Sequence, residues 1–591
     1  MRGVRWGKAV VTALVALLVL PAVADAGRGV TGPCRTVFCV GVSQDGSRVV
    51  FPFEEELTPG AGERQIYERS ARKTRPLLPG GLRHSVRLDE VSADGVHVFV
   101  TTNLSLAPED ADGFGIDVLD ISAGHITLIS TGPLDPQVGG FVSFMGASPD
   151  GGRTFFDAFP SLTPDDLDTC SDLYQRFGGQ TTLVAPEPDP PPTPPLCNSV
   201  AFGGVSADGS HLFFSSAGEL EPGDERGDDL YQQVGGTLTR LTTYPEPEGA
   251  CVDLVKFADA SSDGGTVLFS TNSPVAAEDT DTAFDVYKRR PDGTFVLVSR
   301  GSDGGSGQCG FDGDRPIALS ADGTTAIFET AARLSPVDTD SSNDLYSADD
   351  SGAIELLSTG PADANADGRA NNIFPDWLAL ASDDARRVAF ETHHRLVSAD
   401  RDTAIDVYLR AGGQTELISA GRPPGKPLGS NAELLAISAD GYATVYATKE
   451  ALVPGDLDHE RDVYLRWLHS GRSAMLSAER IPPRMRIARR AKLLPSGRVA
   501  IRLGCPEAEA SGPCHGRVVL KQGRNGPRLG AASFRIEAGK RMRVGVRLRS
   551  RTRLPKSVFV RLRALDAVGN AMVVSRRVAL PTGGYSKSRA N

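Results

Sequence analysis

The chain has 591 residues, 40% apolar and 23% charged, with a formal net charge of −11. That length exceeds one ordinary core and requires several domains or a repetitive architecture. The charge hides a division: residues 481–591 hold 26 Lys and Arg against only Glu507, Glu509, Glu537 and Asp566, a net +22, whereas the first 480 carry a net −33.

The chain opens with the basic "MRGVRWGK", the apolar "AVVTALVALLVLPAVA" and the small residues Ala24-Asp25-Ala26. This order is that of a secretory signal peptide over residues 1–26. The apolar run is shorter than the ~20 residues that cross a bilayer. A retained anchor is therefore the lesser alternative, and no second run of that kind follows. The mature chain is expected to be secreted or associated with the cell envelope, monomeric, and without a transmembrane anchor after cleavage.

Residues 34–480 repeat one unit eight times. A Ser-x-Asp-Gly-like turn recurs at Ser43, Ser92, Ser148, Ser206, Ser261, Ser320, Ser382 (as "SDDA") and Ser438. An alternating run follows, such as "HVFVTT", "HLFFSS" or "RVAFET", which predicts a β-strand. An acidic loop then leads to a strand that begins at its last Asp, as in "DLYQQV" and "DVYLRA". A Gly-rich turn precedes another strand, "TELISA" for example, and a last strand lies just before the next Ser-x-Asp-Gly. Four short antiparallel strands repeated eight times predict an all-β, eight-bladed β-propeller.

The Ser-x-Asp-Gly turn, the Phe-bearing strand and the Asp-[Val/Leu]-Tyr that follows resemble the WD40-like PD40 repeat of TolB-type propellers, over roughly residues 36–480. The resemblance implies protein or peptide partners at a propeller face and transfers no particular residue. Repeat one departs most, since "TPGAGERQIY" lacks the acidic triplet, as suits a terminal unit.

The acidic loops are Asp110/Asp112/Asp117, Asp166/Asp168/Asp172, Asp224/Asp228/Asp229, Asp279/Asp281/Asp285, Asp338/Asp340/Asp344, Asp400/Asp402/Asp406 and Asp456/Asp458/Asp462. A propeller gathers them on one rim, where a cation would relieve their repulsion. Calcium needs six to eight oxygens, yet Ala283 and Ala404 stand where an EF-hand has a ligand. The favoured expectation is that the carboxylates accept backbone N–H groups and hold the loops, with no cofactor or metal; calcium is the disfavoured alternative.

The long links between repeats, such as "EPDPPPTPPLCNS", are expected on the same rim, where binding usually resides. Eight cysteines without a CxxC pair, in an exported chain, predict disulfides rather than zinc or redox motifs. Position suggests Cys170 with Cys197, Cys251 with Cys309, and the local bridges Cys34–Cys39 and Cys505–Cys514.

Residues 481–485 read as a linker, 486–582 as a small basic Ig-like β-sandwich, and 583–591 as a disordered tail. In "RMRVGVRLR" the residues Arg541, Arg543, Arg547 and Arg549 share one strand face, with Met542, Val544, Val546 and Leu548 on the other. The closing "LRALDAVGNAMVVSRRVAL" resembles the terminal hairpin of bacterial Ig-like or fibronectin-like domains. The arginine stripe fits an anionic partner or a solvated face. Nucleic acid is not expected, because no aromatic residues alternate with the arginines.

No GxSxG elbow, HExxH, P-loop or strand-to-helix GxGxxG is present. The reading is a non-catalytic binding or scaffold protein recognising a protein, peptide or cell-envelope polymer on the acidic face. The alternatives are a glycosidase or lyase using rim carboxylates, and a calcium-stabilised adhesin.

Overall fold

The structure, a computed structural model, describes residues 40–580 except 54–56, 58–64, 71–72, 79–85, 111–114, 135–140, 160, 168–169, 186–199, 219, 222–227, 243–253, 281, 301–312, 340, 363–378, 421–429, 451, 454–460, 469–471, 478–484, 495, 497, 506–513, 525, 538–539, 549–555 and 566–570. Among these residues every regular element is a β-strand, and no helix is long and apolar enough to cross a membrane. The proposed signal peptide and C-terminal tail lie outside them.

Up to Met475 the strands form eight four-stranded antiparallel sheets, each paired in chain order. Sheet 6 is typical, with Arg315–Leu319, Ala326–Thr330, Asp344–Ala348 and Ile354–Leu356. The turn between its first two strands shows why the Ser-x-Asp-Gly motif repeats. The Ser320 hydroxyl donates to Asp322 Oδ1 at 2.6 Å and accepts the Thr325 N–H at 2.9 Å, while the same carboxylate accepts the Thr324 N–H at 3.1 Å. All eight turns make the Ser-to-Asp bond. Gly323 closes the turn at φ +75°, a left-handed conformation that costs glycine nothing; Ala385 takes that place in sheet 7 at φ +52°. Consecutive turns also join backbone to backbone, Ser262 N–H to Ala321 O, Ala321 N–H to Asp383 O and Asp383 N–H to Ala439 O, at 2.7–2.8 Å.

The second and third strands bury an aromatic pair in seven sheets. Phe51 meets Tyr67, Phe156 Tyr174, Phe214 Tyr231, Phe269 Tyr287, Phe328 Tyr346, Phe390 Tyr408 and Tyr446 Tyr464, with ring centroids 5.6–6.2 Å apart. In sheet 2 Val100 opposite Leu119 replaces the pair. The alternation of the strands sends these rings to one face and further apolar residues, including Phe155 and Phe213, to the other. Each sheet therefore packs on both sides, and the apolar clusters are shared by successive sheets: Val50 with Val98, Phe99 with Phe144, Phe155 with Phe214, Phe213 with Phe269, Leu268 with Phe328, Ile327 with Phe390, and Leu409 with Tyr446. One more cluster joins Val445 and Leu465 of sheet 8 to Val49 and Phe51 of sheet 1.

The basic region has two four-stranded sheets over one core. The first holds Arg486–Ile487, Lys492–Leu493, Arg498–Gly504 and Arg541–Arg547; the second holds Cys514–Lys521, Arg528–Ile536, Ser557–Leu565 and Ala571–Ala579. Val499, Ile501, Val518, Val544, Val546 and Val560 fill the space between them. The expected alternation holds for Val544 and Val546, but Met542, at the strand's start, is 44% exposed.

Candidate functional site

The seven acidic loops each end in an Asp that opens the third strand: Asp117, Asp172, Asp229, Asp285, Asp344, Asp406 and Asp462. The sequence reading gave these carboxylates backbone partners; the structure adds a hydroxyl that the reading missed. Ser130 donates to Asp117 Oδ1 at 3.1 Å, Thr242 to Asp229 at 2.5 Å, Ser299 to Asp285 at 2.7 Å, and Ser358 and Ser477 to Asp344 and Asp462 at 2.5 Å; Ser419 does the same for Asp406. Each hydroxyl oxygen also accepts the N–H of the residue after the Asp, at 2.9–3.2 Å. One side chain at the end of the fourth strand thus ties down both the carboxylate and the backbone of the third. The signal was present in "LISTG", "LVSRG" and "LLSTG", where a hydroxyl follows the aliphatic residues of the fourth strand.

The first Asp of the loop has a different partner. The phenol of the Asp-[Val/Leu]-Tyr tyrosine reaches back eight residues to it: Tyr346 to Asp338 and Tyr408 to Asp400 at 2.5 Å, and likewise Tyr174 to Asp166 and Tyr287 to Asp279. Burial, reinforced by the bond to the carboxylate, pushes the Tyr174, Tyr346 and Tyr408 phenols well above their ordinary range. They stay protonated and act as donors.

Of the middle aspartates, Asp112, Asp168, Asp281, Asp340 and Asp458 lie outside the described residues, as do the first aspartates Asp224 and Asp456; Asp228 is described, and burial raises its carboxyl above the ordinary range. Asp402 is described, and Asp400, Asp402 and Asp406 bring one carboxylate oxygen each within 4.8 Å of one another, the single such group of three found among the described residues. Burial pushes Asp406 up to about 7; Ser419 offsets this in part, and the charges of Asp400, Asp402 and Glu450 add to it. Asp400 Oδ1 accepts the Asp402 N–H at 3.1 Å and Asp402 Oδ1 the Ala404 N–H at 2.9 Å. All three carboxylates already serve the loop, and three ligands fall well short of a calcium shell.

The links between sheets do share an end with these loops. Leu134 N–H bonds Leu162 O, Ala362 N–H bonds Leu396 O, and Ala432 N–H bonds Ile405 O. The Cys505–Cys514 bridge is present. Cys170 is buried and disulfide-bonded, while Cys34, Cys39, Cys197, Cys251 and Cys309 lie outside the described residues. His393 and His394, an adjacent pair in the sequence, lie with ring centroids 4.5 Å apart and planes tilted by 51°.

A second set of carboxylates, not singled out by sequence, lies buried or half-buried between sheets. Asp259 Oδ2 accepts the Leu319 N–H of the next sheet at 2.8 Å, and Glu391 accepts the Leu434 N–H of the next. Both amides lie in first strands whose ladder register is shifted by a bulge, which leaves a donor for the neighbouring sheet to satisfy. Burial pushes Glu391 up to about 8, Asp157 up to about 7, and Glu90 well above the carboxylate range.

No known protein family and no curated protein matches the sequence. Among solved structures the chain is similar to a prolyl endopeptidase (13% identity, TM-score 0.33, covering 80% of this chain and 55% of that one). It is also similar to an oligogalacturonate lyase in complex with manganese (12%, 0.36, 63% and 87%) and to a puromycin hydrolase (12%, 0.34, 81% and 59%). The chain thus spans little more than half the length of the endopeptidase, and no residue role is carried over from these structures.

Proposed function

We propose that the chain is an exported, non-catalytic binding or scaffold protein, with residues 34–480 forming an eight-bladed propeller of PD40 type and residues 486–582 an Ig-like sandwich. The ring is supported by the unbroken succession of shared apolar clusters, including the one between sheets 8 and 1. The non-catalytic reading rests on one observation: among the described residues, acidic-loop carboxylates such as Asp338, Asp344 and Asp400 bond to hydroxyls and amides of their own sheets. A carboxylate so engaged holds its loop in shape; a general acid or nucleophile must instead face a substrate. The partner in this reading is a protein, peptide or cell-envelope polymer gripped by the links that lie beside those loops.

The test is to incubate the exported protein with panels of polysaccharides and peptides and to follow both binding and products by mass spectrometry. Saturable binding without turnover supports the proposal. Turnover that Asp400→Asn or Asp406→Asn abolishes would establish the carbohydrate-active alternative instead. An N-terminus of the exported protein that has not been cleaved near Ala26 would remove the signal-peptide part.

A further inference from the structure

The basic region contains a groove of about 650 Å³ on its first sheet. Its walls carry Arg489, Arg490, Lys492, Arg502 and Arg543, and no acidic residue lines it. All five cationic side chains are exposed. Its lining also includes the partly exposed Ala488 and Leu493 and the buried Ala491 and Ala500.

Three features make this more than a charged surface. First, Arg502 stands directly opposite Arg543 in the ladder, and Arg498 opposite Arg547. Like charges facing each other across antiparallel strands repel; Arg517 and Arg563 on the second sheet do so too, but Arg502 and Arg543 share a groove with three further cations, where one anionic chain can meet them all. Second, none of these arginines has a carboxylate within ion-pair distance among the described residues; the one ion pair found in this region is Arg535 with Glu537, at 3.9 Å on the other sheet. Third, the wall is fixed in place. Ala488 N–H bonds Arg502 O, Ala491 N–H bonds Ala579 O, and Ala579 N–H bonds Arg489 O, all at 3.0 Å, while Arg576 Nη1 donates to Ile487 O at 2.9 Å. The backbone that carries the cations is held in position before any ligand arrives, so binding has only their side chains to order.

We propose that this groove binds a linear acidic polysaccharide, its carboxylates taken by the facing Arg502 and Arg543 and by the Arg489–Lys492 wall, its ring faces lying against Ala488 and Leu493. Guanidinium forks match carboxylates in two parallel hydrogen bonds. The partly exposed Ala488 and Leu493 of the lining give the C–H faces of sugar rings an apolar contact that a bare phosphate chain would not use. Nucleobases would look for aromatic platforms, and the lining has no aromatic side chain. This site is independent of how the eight acidic sheets are read.

The experiment uses the full chain and alginate, a carboxylated polysaccharide, with calorimetric detection. Dextran, inorganic polyphosphate and duplex DNA serve as competitors at equal monomer concentration. Alginate is expected to bind, and to be released as NaCl rises from about 0.05 M to about 0.5 M. The double variant Arg502→Gln/Arg543→Gln is expected to bind about tenfold more weakly or worse. The matched variant Arg517→Gln/Arg563→Gln removes the same charge from a facing pair on the second sheet and is expected to change binding by less than about twofold. Arg502→Lys/Arg543→Lys keeps the charge but loses the fork, and should fall between the two. Melting curves check the fold; the groove variant should melt no earlier than the native chain, because a repulsive pair has gone. The proposal is overturned by any of three results: alginate does not bind, the two Gln double variants lose affinity equally, or polyphosphate, DNA or dextran displaces alginate as well as alginate itself does.

Discussion

Replacing Ser358 by Ala tests the link between the third and fourth strands where it is best defined. Ser358 is fully buried and Asp344 is 1% exposed. The hydroxyl donates to Asp344 Oδ1 at 2.5 Å and accepts the Leu345 N–H at 3.2 Å. A hydrogen bond to a charged group is worth about 1.5–3 kcal/mol, and a buried amide deprived of its acceptor costs about 1–3 kcal/mol. Ser358→Ala removes both in one step and leaves a void of one oxygen, so a loss of about 3 kcal/mol is expected. Urea unfolding followed by circular dichroism measures the total. Amide exchange at Leu345 measures the local part, which should rise more than exchange in distant sheets. Ser358→Thr is the control, because Thr242 does the same work in sheet 4; it should cost about 1 kcal/mol or less. A Ser358→Ala protein within about 0.5 kcal/mol of the native chain, or a Thr variant as damaged as the Ala one, would refute the reasoning.

Sheet 3 carries Ala185 where the other latched sheets carry Ser or Thr, so Ala185→Ser supplies the hydroxyl to Asp172 and should raise the urea midpoint, by about 1 kcal/mol of stability. Glu391 at about 8 and Asp157 at about 7 bind protons more tightly in the folded chain than in the unfolded one. Their contribution is therefore complete below about pH 4 and lost as the pH rises through 7 to 8; Glu391→Gln should flatten that decline in a pH series of melts. The turn carboxylates behave oppositely. The Ser261 and Ser320 hydroxyls, then the backbone amides, hold Asp263 and Asp322 below the usual range, so what they add is lost as the pH falls below about 4. Opening the Cys505–Cys514 bridge by Cys→Ala at both positions should destabilise the basic region by about 2–3 kcal/mol, from the short loop it closes. Chelator is expected to leave the melting curve unmoved, since Asp400, Asp402 and Asp406 already bond their own loop; a drop of more than a few degrees restored by calcium would return the adhesin reading.

The repeat was legible because its parts are local. Ser320, Asp322 and Gly323 complete one another within a few residues, so their chemistry shows in a short window of sequence. The alternation of "TAIFET" likewise announces its strand, and Cys505 with Cys514 announces its bridge. What escaped was set by contacts across the sheet or between sheets. Ser358 lies 14 residues beyond Asp344 and looks like an ordinary end-of-strand serine until the two strands pair. Asp259 and Glu391 satisfy amides 60 and 43 residues away; their role exists only once a bulge in the next sheet turns a donor toward them. The arginine stripe was visible at Arg541, Arg543 and Arg547, but the groove was not, because Arg489 and Arg490 reach it from a separate arch anchored to the last strand.

The apolar cluster shared by Val49 and Val445 also bears on how the chain reaches its native state. The sheets joined there are separated by roughly 400 residues, and bringing such distant segments together carries an entropic penalty of about 5 kcal/mol before any contact rewards it. Neighbouring sheets can assemble progressively as synthesis proceeds, but this last junction must wait for sheet 8. Until then Val49 and Phe51 leave the flank of sheet 1 open to other copies, so a vulnerability to aggregation lasts to the end of folding.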